Sequence, residues 1–246
     1  MIAPARRGEE RRVIDAVIFD WGGTLTPWRT MDFDLEAAAL AQAAAPPYHG
    51  DAAAALRIAG DTVWARSRDN HLSATLADVF TAAGLRMDAG RLRAYRDFWE
   101  PATVTDPEAP ELLRGLRERG VKVGILSNTV WPRDWHEEIF ARDGVLELID
   151  GAVYSSEIPW TKPHPEAFKA AMAAVSAADP ARCVFVGDRP FEDVYGARQV
   201  GMRTVLLPHS EIPEQQRGHT DGEPDAVIAR LADLLPLVES WRTVPA

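Results

Sequence analysis

Cysteine is nearly missing from this chain of 246 residues: Cys183 stands alone. An intrachain disulfide and a cysteine-based zinc site are therefore excluded. Cys183 lies in an apolar run and reads as a buried core thiol rather than a nucleophile. Lysine is scarce too, with only Lys122, Lys162 and Lys169, so that arginine supplies most of the positive charge. Positive charge as a whole is in deficit, 27 Lys and Arg against 37 Asp and Glu, for a net charge of -10. That balance disfavours nucleic acid or an anionic membrane as partner. It leaves room for a small phosphorylated molecule, because local potential in a pocket outweighs net charge. No apolar run is long enough to span a bilayer. The opening residues MIAPARRGEERR are charged and lack the apolar stretch of a signal peptide. A cytoplasmic protein with a flexible stretch at residues 1–12 is expected. No internal repeat is present, and nothing fixes the oligomeric state.

What the chain does contain is apolar residue in quantity, 46%, enough for a sizeable core. Five short runs rich in β-branched residues stand out: Val13 to Phe19, Val121 to Leu126, Ala152 to Tyr154, Cys183 to Val186 and Thr204 to Leu207. Such runs, separated by helical patterns, predict a parallel sheet covered on both faces, an α/β Rossmann-like architecture. Helices are expected over Pro110 to Arg119, Pro165 to Ala178, Phe191 to Val200 and Asp225 to Val238, with Gly120 and Gly201 as stops and Pro236 breaking the end of the last. From about Thr30 to Thr105 the alternation lapses. Ala, Leu and Arg dominate there, and the block reads as a small helical bundle inserted after the first strand. The expected organisation is a core of residues 13–29 and 106–246 with a helical domain at 30–105.

Chemistry-bearing residues gather where strands end. The first run leads into Asp20-Trp21-Gly22-Gly23-Thr24-Leu25-Thr26. A carboxylate at the C-terminal end of a parallel strand faces the crevice where such sheets bind ligands, and two glycines let the backbone turn close to one. The second run ends at Leu126-Ser127-Asn128-Thr129, where a hydroxyl and free N–H groups can hold phosphoryl oxygens. Thr161-Lys162-Pro163-His164-Pro165 stiffens one of the few lysines, able to neutralise a phosphate and a neighbouring carboxylate; His164 reads as a helix-start residue. The fourth run ends in Gly187-Asp188-Arg189-Pro190-Phe191-Glu192-Asp193, whose aspartates suit Mg²⁺, a cation that prefers hard oxygen ligands.

In this order and at these strand ends, the four elements resemble the motifs of the haloacid-dehalogenase-like superfamily, and VFVGDRPFEDVYGARQVGMRTVLL is the most family-like stretch. The resemblance covers Val13 to Leu207 and implies a hydrolase, with residues 30–105 as an α-helical cap that closes over the site. It implies that Asp20 attacks phosphorus and forms an aspartyl-phosphate. It implies Mg²⁺ held by Asp20, the carbonyl of Gly22 and Asp188, with Asp193 adding to the site directly or through water. Ser127 and Lys162 would bind the phosphoryl oxygens, with N–H donors around Trp21, Gly22 and Gly23 and at Asn128.

One departure matters. The phosphatases of the superfamily usually carry a second aspartate two residues after the nucleophile, and here that position is Gly22. Glycine cannot perform general acid–base catalysis, typically worth about 10²–10⁴-fold. Three readings follow: a phosphatase whose proton transfer comes from elsewhere, another reaction of the superfamily, or a non-hydrolytic protein that keeps the phosphate and metal site. The phosphonoacetaldehyde hydrolases need a cap lysine, and residues 30–105 contain none. The dehalogenases lack the second aspartate but need no Mg²⁺. His71, Asp69 and Glu100 are the first candidates for a substitute acid or base. Trp28, Trp64, Arg66, Arg68, His71 and Trp99 are candidates to line a pocket, and Trp131, Pro132 and Trp135 to wall it from the opposite side.

Overall fold

Along β1 (Ala16–Phe19) side chains point alternately to the two faces of a sheet. Val17 and Phe19 enter one apolar cluster and Ala16 and Ile18 another, so the strand is buried on both sides. The computed structural model describes residues 14–208 and 221–242. The stretch 1–12, expected to be flexible, lies outside the described residues.

Among the described residues β1 is joined by β2 (Lys122–Ser127), β3 (Gly151–Tyr154), β4 (Cys183–Gly187), β5 (Arg203–Leu206) and β6 (Ala226–Val227) in one sheet of order β3-β2-β1-β4-β5-β6. Every pairing is parallel. Chain order reverses between β1 and β4, which opens a crevice at their C-terminal ends. Asp20 and Asp188 sit one residue beyond those ends.

Helices cover both faces. On one side α5 (Ala109–Glu118) buries Ala109, Leu112, Leu113 and Leu116, the stripe of an amphipathic helix, and Gly120 stops it at φ +71. On the other, α7 (Pro165–Ala174) presents Ala167, Phe168 and Ala171 to Phe185 and Ile18. Each fully buried aromatic or aliphatic side chain contributes roughly 1.5–3 kcal/mol. Cys183 is buried, and burial first, then Asp15 and Asp179, pushes its thiol up to about 12, as suits an inert core position.

Between β1 and α5 the secondary elements are helical: α1 (Phe33–Ala41), α2 (Ala52–Asn70), α3 (Leu76–Ala82), α4 (Arg93–Trp99) and single turns at Ala89–Arg91 and Glu100–Ala102. Asp32, Asp51 and Thr75 cap the first three, Thr75 with Asp78 in a reciprocal capping box. Backbone hydrogen bonds tie the middle of this segment, between α2 and α3, to the sheet's loops: Ser73 N–H to Pro159 O (3.1 Å), Thr161 N–H to His71 O (3.0 Å) and Leu76 N–H to Val130 O (3.0 Å).

Three expectations are corrected. The stretch Asp225 to Val238 is not one helix: Ala226–Val227 form β6, and α9 (Leu234–Arg242) begins later. Pro236 falls in its first turn, where a missing N–H costs nothing, so it does not break the end. The helix from Pro165 stops at Ala174, before Ser176 at φ 57. The helix expected from Phe191 begins as a wide π turn, Pro190–Tyr195, before α8 (Gly196–Gln199). Among the described residues no helix is long and apolar enough to cross a membrane.

Candidate active site

Asp20 follows β1 directly, its N–H bonded to Val186 O at 2.9 Å, and its carboxylate is buried. The chain then closes a tight loop, with Thr26 N–H on Trp21 O (2.9 Å) and Gly23 N–H on Thr26 O (2.7 Å). The Gly23 N–H is thereby committed inside the loop, so of the three N–H groups expected to face a phosphoryl group those of Trp21 and Gly22 remain. Gly23 sits at φ +90, and a Cβ there would lie 2.5 Å from Asp188 Oδ2. Only glycine allows that approach. Gly22 is outside the left-handed region, and a Cβ there would meet nothing within 4 Å.

Lys162 is the hub. Its Nζ donates to Asp20 Oδ1 and to Asp193 Oδ1, both at 2.7 Å, and all three side chains are buried. Asn128 fixes its backbone: Lys162 N–H donates to Asn128 Oδ1 (2.8 Å), and Asn128 Nδ2 donates to Lys162 O (3.0 Å). The Asn128 side chain thus braces the lysine, while Ser127, at the end of β2, lines the same cavity as Asp20. Asp193 is placed by the π turn, where its Oδ2 accepts from Arg189 N–H at 2.9 Å. A Cβ on Gly187 would lie 2.2 Å from that oxygen, so this glycine too is set by close approach.

Asp20, Asp188 and Asp193 bring carboxylate oxygens within 4.8 Å of one another. Burial, against the pull of Lys162, raises Asp20 to about 6, with Asp193 adding to the rise. Burial likewise holds Asp188 well above the usual carboxylate range, with Arg189 opposing and Asp20 and Asp193 reinforcing. Burial disfavours charge on Lys162, yet Asp193 and Asp20 together lift it above its ordinary value, so it stays an ammonium. Asp188 Oδ1 has no hydrogen-bond partner among the described residues. A buried, unpartnered carboxylate oxygen beside two further carboxylates is a donor set for a hard divalent cation, and the residues present fit one.

Above this floor lies a cavity of about 490 Å³, walled by the loop after β1, the helical segment 33–103 and the loops after β2 and β4. Of the candidate wall residues, Trp28, Trp64, Arg68, Trp99 and Trp131 line it; Arg66, His71, Pro132 and Trp135 do not. Arg66 donates to Ser73 O, and His71 ends α2 at φ 58. Pro132 is the residue before α6 (Arg133–Arg142), and Trp135 packs on Tyr95 and Trp131. The candidate acids Asp69 and Glu100 do not line it either; Asp69 is held by Arg68. The sequence reading missed the acids that do, Glu36, Asp61 and Glu192, and also Tyr95 and Arg189. Behind Trp21, buried His136 meets its ring edge-on at 4.5 Å; burial, then Arg133, lowers the imidazole to about 3 and keeps it neutral.

A family model of haloacid dehalogenase-like hydrolases matches residues 14–201. The glyceraldehyde 3-phosphate phosphatase of Methanopyrus kandleri is 30% identical over 153 residues, 62% of this chain and 64% of that protein. The chain spans roughly half to just under two-thirds of the length of the curated relatives it matches. In fold, the chain is similar to a HAD phosphatase from Thermococcus onnurineus (TM-score 0.62, 22% identity, covering 93% of this chain and 100% of that one). It is as similar to the L-2-haloacid dehalogenase of Xanthobacter autotrophicus (TM-score 0.60, 24% identity, 92% and 99%). Since the family model covers well over half its length, this chain belongs to the haloacid dehalogenase-like hydrolases.

Proposed function

We propose that this chain is a Mg²⁺-dependent phosphatase of small phosphorylated molecules, acting in the cytoplasm, with Asp20 as its nucleophile and residues 30–105 as a cap. The observation that supports it most is the grouping of three buried carboxylates beneath the cavity, two of them bonded to one buried lysine. The solved structures resembled include phosphatase and dehalogenase alike, so fold does not choose between them. The acidic cluster supports the phosphatase reading, because its carboxylates suit a divalent cation and haloacid dehalogenases need none. The phosphatase names of the matched relatives point the same way.

In this reading the Asp20 carboxylate attacks phosphorus, the P–O bond to the alcohol breaks, and an aspartyl-phosphate forms. Water then attacks that phosphorus, which restores Asp20 and releases phosphate. Lys162, held as an ammonium by its two carboxylates, screens Asp20 from the incoming phosphate and binds a phosphoryl oxygen. The Ser127 hydroxyl and the N–H groups of Trp21 and Gly22 supply further donors. Asp20, Asp188, Asp193 and the carbonyl of Gly22 would hold Mg²⁺, which when bound neutralises charge on the transferring group. A leaving alkoxide still needs a proton, and Gly22 offers none; Glu36, Asp61 and Glu192 are the carboxyl groups that line the cavity besides Asp20.

A panel of phosphate monoesters and acyl phosphates with Mg²⁺, beside haloacids without metal, tests the reading. Phosphate release is expected to need Mg²⁺ and to fall by about 10⁴-fold or more in Asp20→Asn with the fold intact. Undiminished release by that variant or under chelation sinks it. A ligand that raises Tm with Mg²⁺ yet stays intact over many hours favours the non-hydrolytic reading, for which the missing carboxylate at Gly22 is the motive.

A further inference from the structure

The cavity wall carries a carboxyl group outside the cluster of Asp20, Asp188, Asp193 and Lys162. Glu36, in the first turn of α1, lines the cavity and is half-buried. The Tyr95 hydroxyl donates to its Oε1 at 3.1 Å and accepts in turn from the Trp131 indole N–H at 3.1 Å. Arg57 lines the same wall, but its guanidinium is engaged by Asp34 (3.5 Å) and Asp61 (2.8 Å), and Asp61 also lines the cavity. Glu36 itself forms no ion pair among the described residues. Burial, against the Tyr95 hydrogen bond, raises its carboxyl above the usual range. A half-buried carboxylate whose only nearby guanidinium, Arg57, is taken up by two other carboxylates is costly, and a ligand that supplies a cation recovers part of the cost.

The surroundings favour one kind of countercharge. Tyr95, Trp99 and Trp131 line the cavity and pack together, with centroids 6.5 Å (Tyr95–Trp99), 6.2 Å (Tyr95–Trp131) and 5.4 Å (Trp99–Trp131) apart. Aromatic faces attract cations, indole most strongly. Resting on the phosphatase reading above, we propose that the substrate's alcohol portion ends in an organic cation, an ammonium group, which Glu36 and the Tyr95–Trp99–Trp131 cluster receive while the phosphoryl group lies at Asp20. A second anionic group at that end would meet Glu36 and Asp61, and a neutral end would leave Glu36 uncompensated.

The test uses phosphate monoesters of increasing chain length, each ending in trimethylammonium, in its neutral tert-butyl isostere, or in a carboxylate. Binding is measured by calorimetry on Asp20→Asn with Mg²⁺, and turnover on the unaltered protein. At the best chain length the cation is expected to bind roughly ten- to thirtyfold more tightly than the isostere, the size of a desolvated cation–π contact. Glu36→Gln, which keeps an acceptor for Tyr95, is expected to erase most of that ratio without weakening the isostere. Trp99→Phe, a second and milder change, is expected to reduce it. Equal binding of cation and isostere, tighter binding of the carboxylate series, or equal weakening of cation and isostere by Glu36→Gln overturns the proposal. Turnover of all three series alike overturns it while leaving the phosphatase reading intact. Cation-selective binding without phosphate release removes the phosphatase reading and keeps the cation site.

Discussion

The floor and the roof of the cavity are built on different physics. The floor stands on strand ends and is dense in buried charge, and a methyl group's worth of space is missing at Gly23 and Gly187. Asp20, Asp193 and Lys162 are held within hydrogen-bond distance by elements on both sides of the β1–β4 crevice, with Asp188 beside them. The roof is helical and mixes aliphatic, aromatic and polar side chains, and Gly60 in α2 has open room for a side chain. Chemistry that depends on fractions of an ångström belongs on the rigid part. Selection among ligands belongs on the part that tolerates change. Damage to the floor should therefore appear in turnover and metal binding, and damage to the roof in the choice of substrate.

The largest expected gain in rate probes the one gap in the floor. Gly22 lies outside the left-handed region and has open space, so Gly22→Asp adds a carboxylate without the strain such a position would impose. If the missing acid limits turnover, hydrolysis of alkyl phosphates should rise by up to about 10²–10⁴-fold, with less gain for nitrophenyl or acyl phosphates, which leave without a proton. Gly22→Ala controls for the added Cβ. A rate for Gly22→Asp no better than for Gly22→Ala would mean that the proton comes from the walls, from Glu36, Asp61 or Glu192, and the division between floor and roof would break.

A smaller effect compares two glycines directly. Gly23→Ala forces a Cβ to 2.5 Å from Asp188 Oδ2 at φ +90. It should cost about 1–3 kcal/mol of stability and weaken Mg²⁺ binding, because the displaced group is a carboxylate of the cluster. Gly60→Ala, in a helix with nothing within 4 Å, should instead stabilise by roughly 0.5–1 kcal/mol. Denaturant unfolding with and without Mg²⁺ separates them, and equal signs would show that the floor is no tighter than the roof.

The same division marks what could be read from the sequence. Strands buried on both faces write themselves as short apolar runs, and the residues that follow Phe19, Leu126 and Val186 are placed by strand geometry alone. The edge strand Ala226–Val227 was not legible: two residues, with Val227 exposed, carry no pattern, and the periodicity of α9 ran over them. Pro236 misled because a proline at a helix start and one at a helix end look alike until the start is known. In the roof, the Ala- and Arg-rich helices carry weak stripes, so which tryptophan faced inward could not be told. Trp135 points into the core and Trp64 lines the cavity, from the same residue type. Glu36 reads as an ordinary first-turn acid; the hydrogen bond that marks it out comes from Tyr95, 59 positions away.

The last and smallest effect is a pH dependence that should belong to the floor alone. Asp20 is raised from 3.8 to about 6 by burial, Lys162 notwithstanding, and Asp188 is raised as well. A carboxyl whose folded value exceeds its unfolded one favours the folded state while protonated. Its contribution is present below about pH 4, is lost as pH rises through about 6, and stays lost above. A divalent cation reverses that loss by stabilising the ionised carboxylates, and at low pH it must first displace protons. Mg²⁺ should therefore raise Tm by a few degrees at about pH 8 and by much less at about pH 5. Asp20→Asn should remove part of this difference and leave the share due to Asp188. Glu36→Gln removes a carboxyl that is also raised by burial, but in the roof, and should leave the Mg²⁺ profile unchanged. The measurement is a thermal melt series across that pH range for the three proteins. A Mg²⁺ shift equal at both ends, or one altered as much by Glu36→Gln as by Asp20→Asn, would place the cation site somewhere other than among Asp20, Asp188 and Asp193.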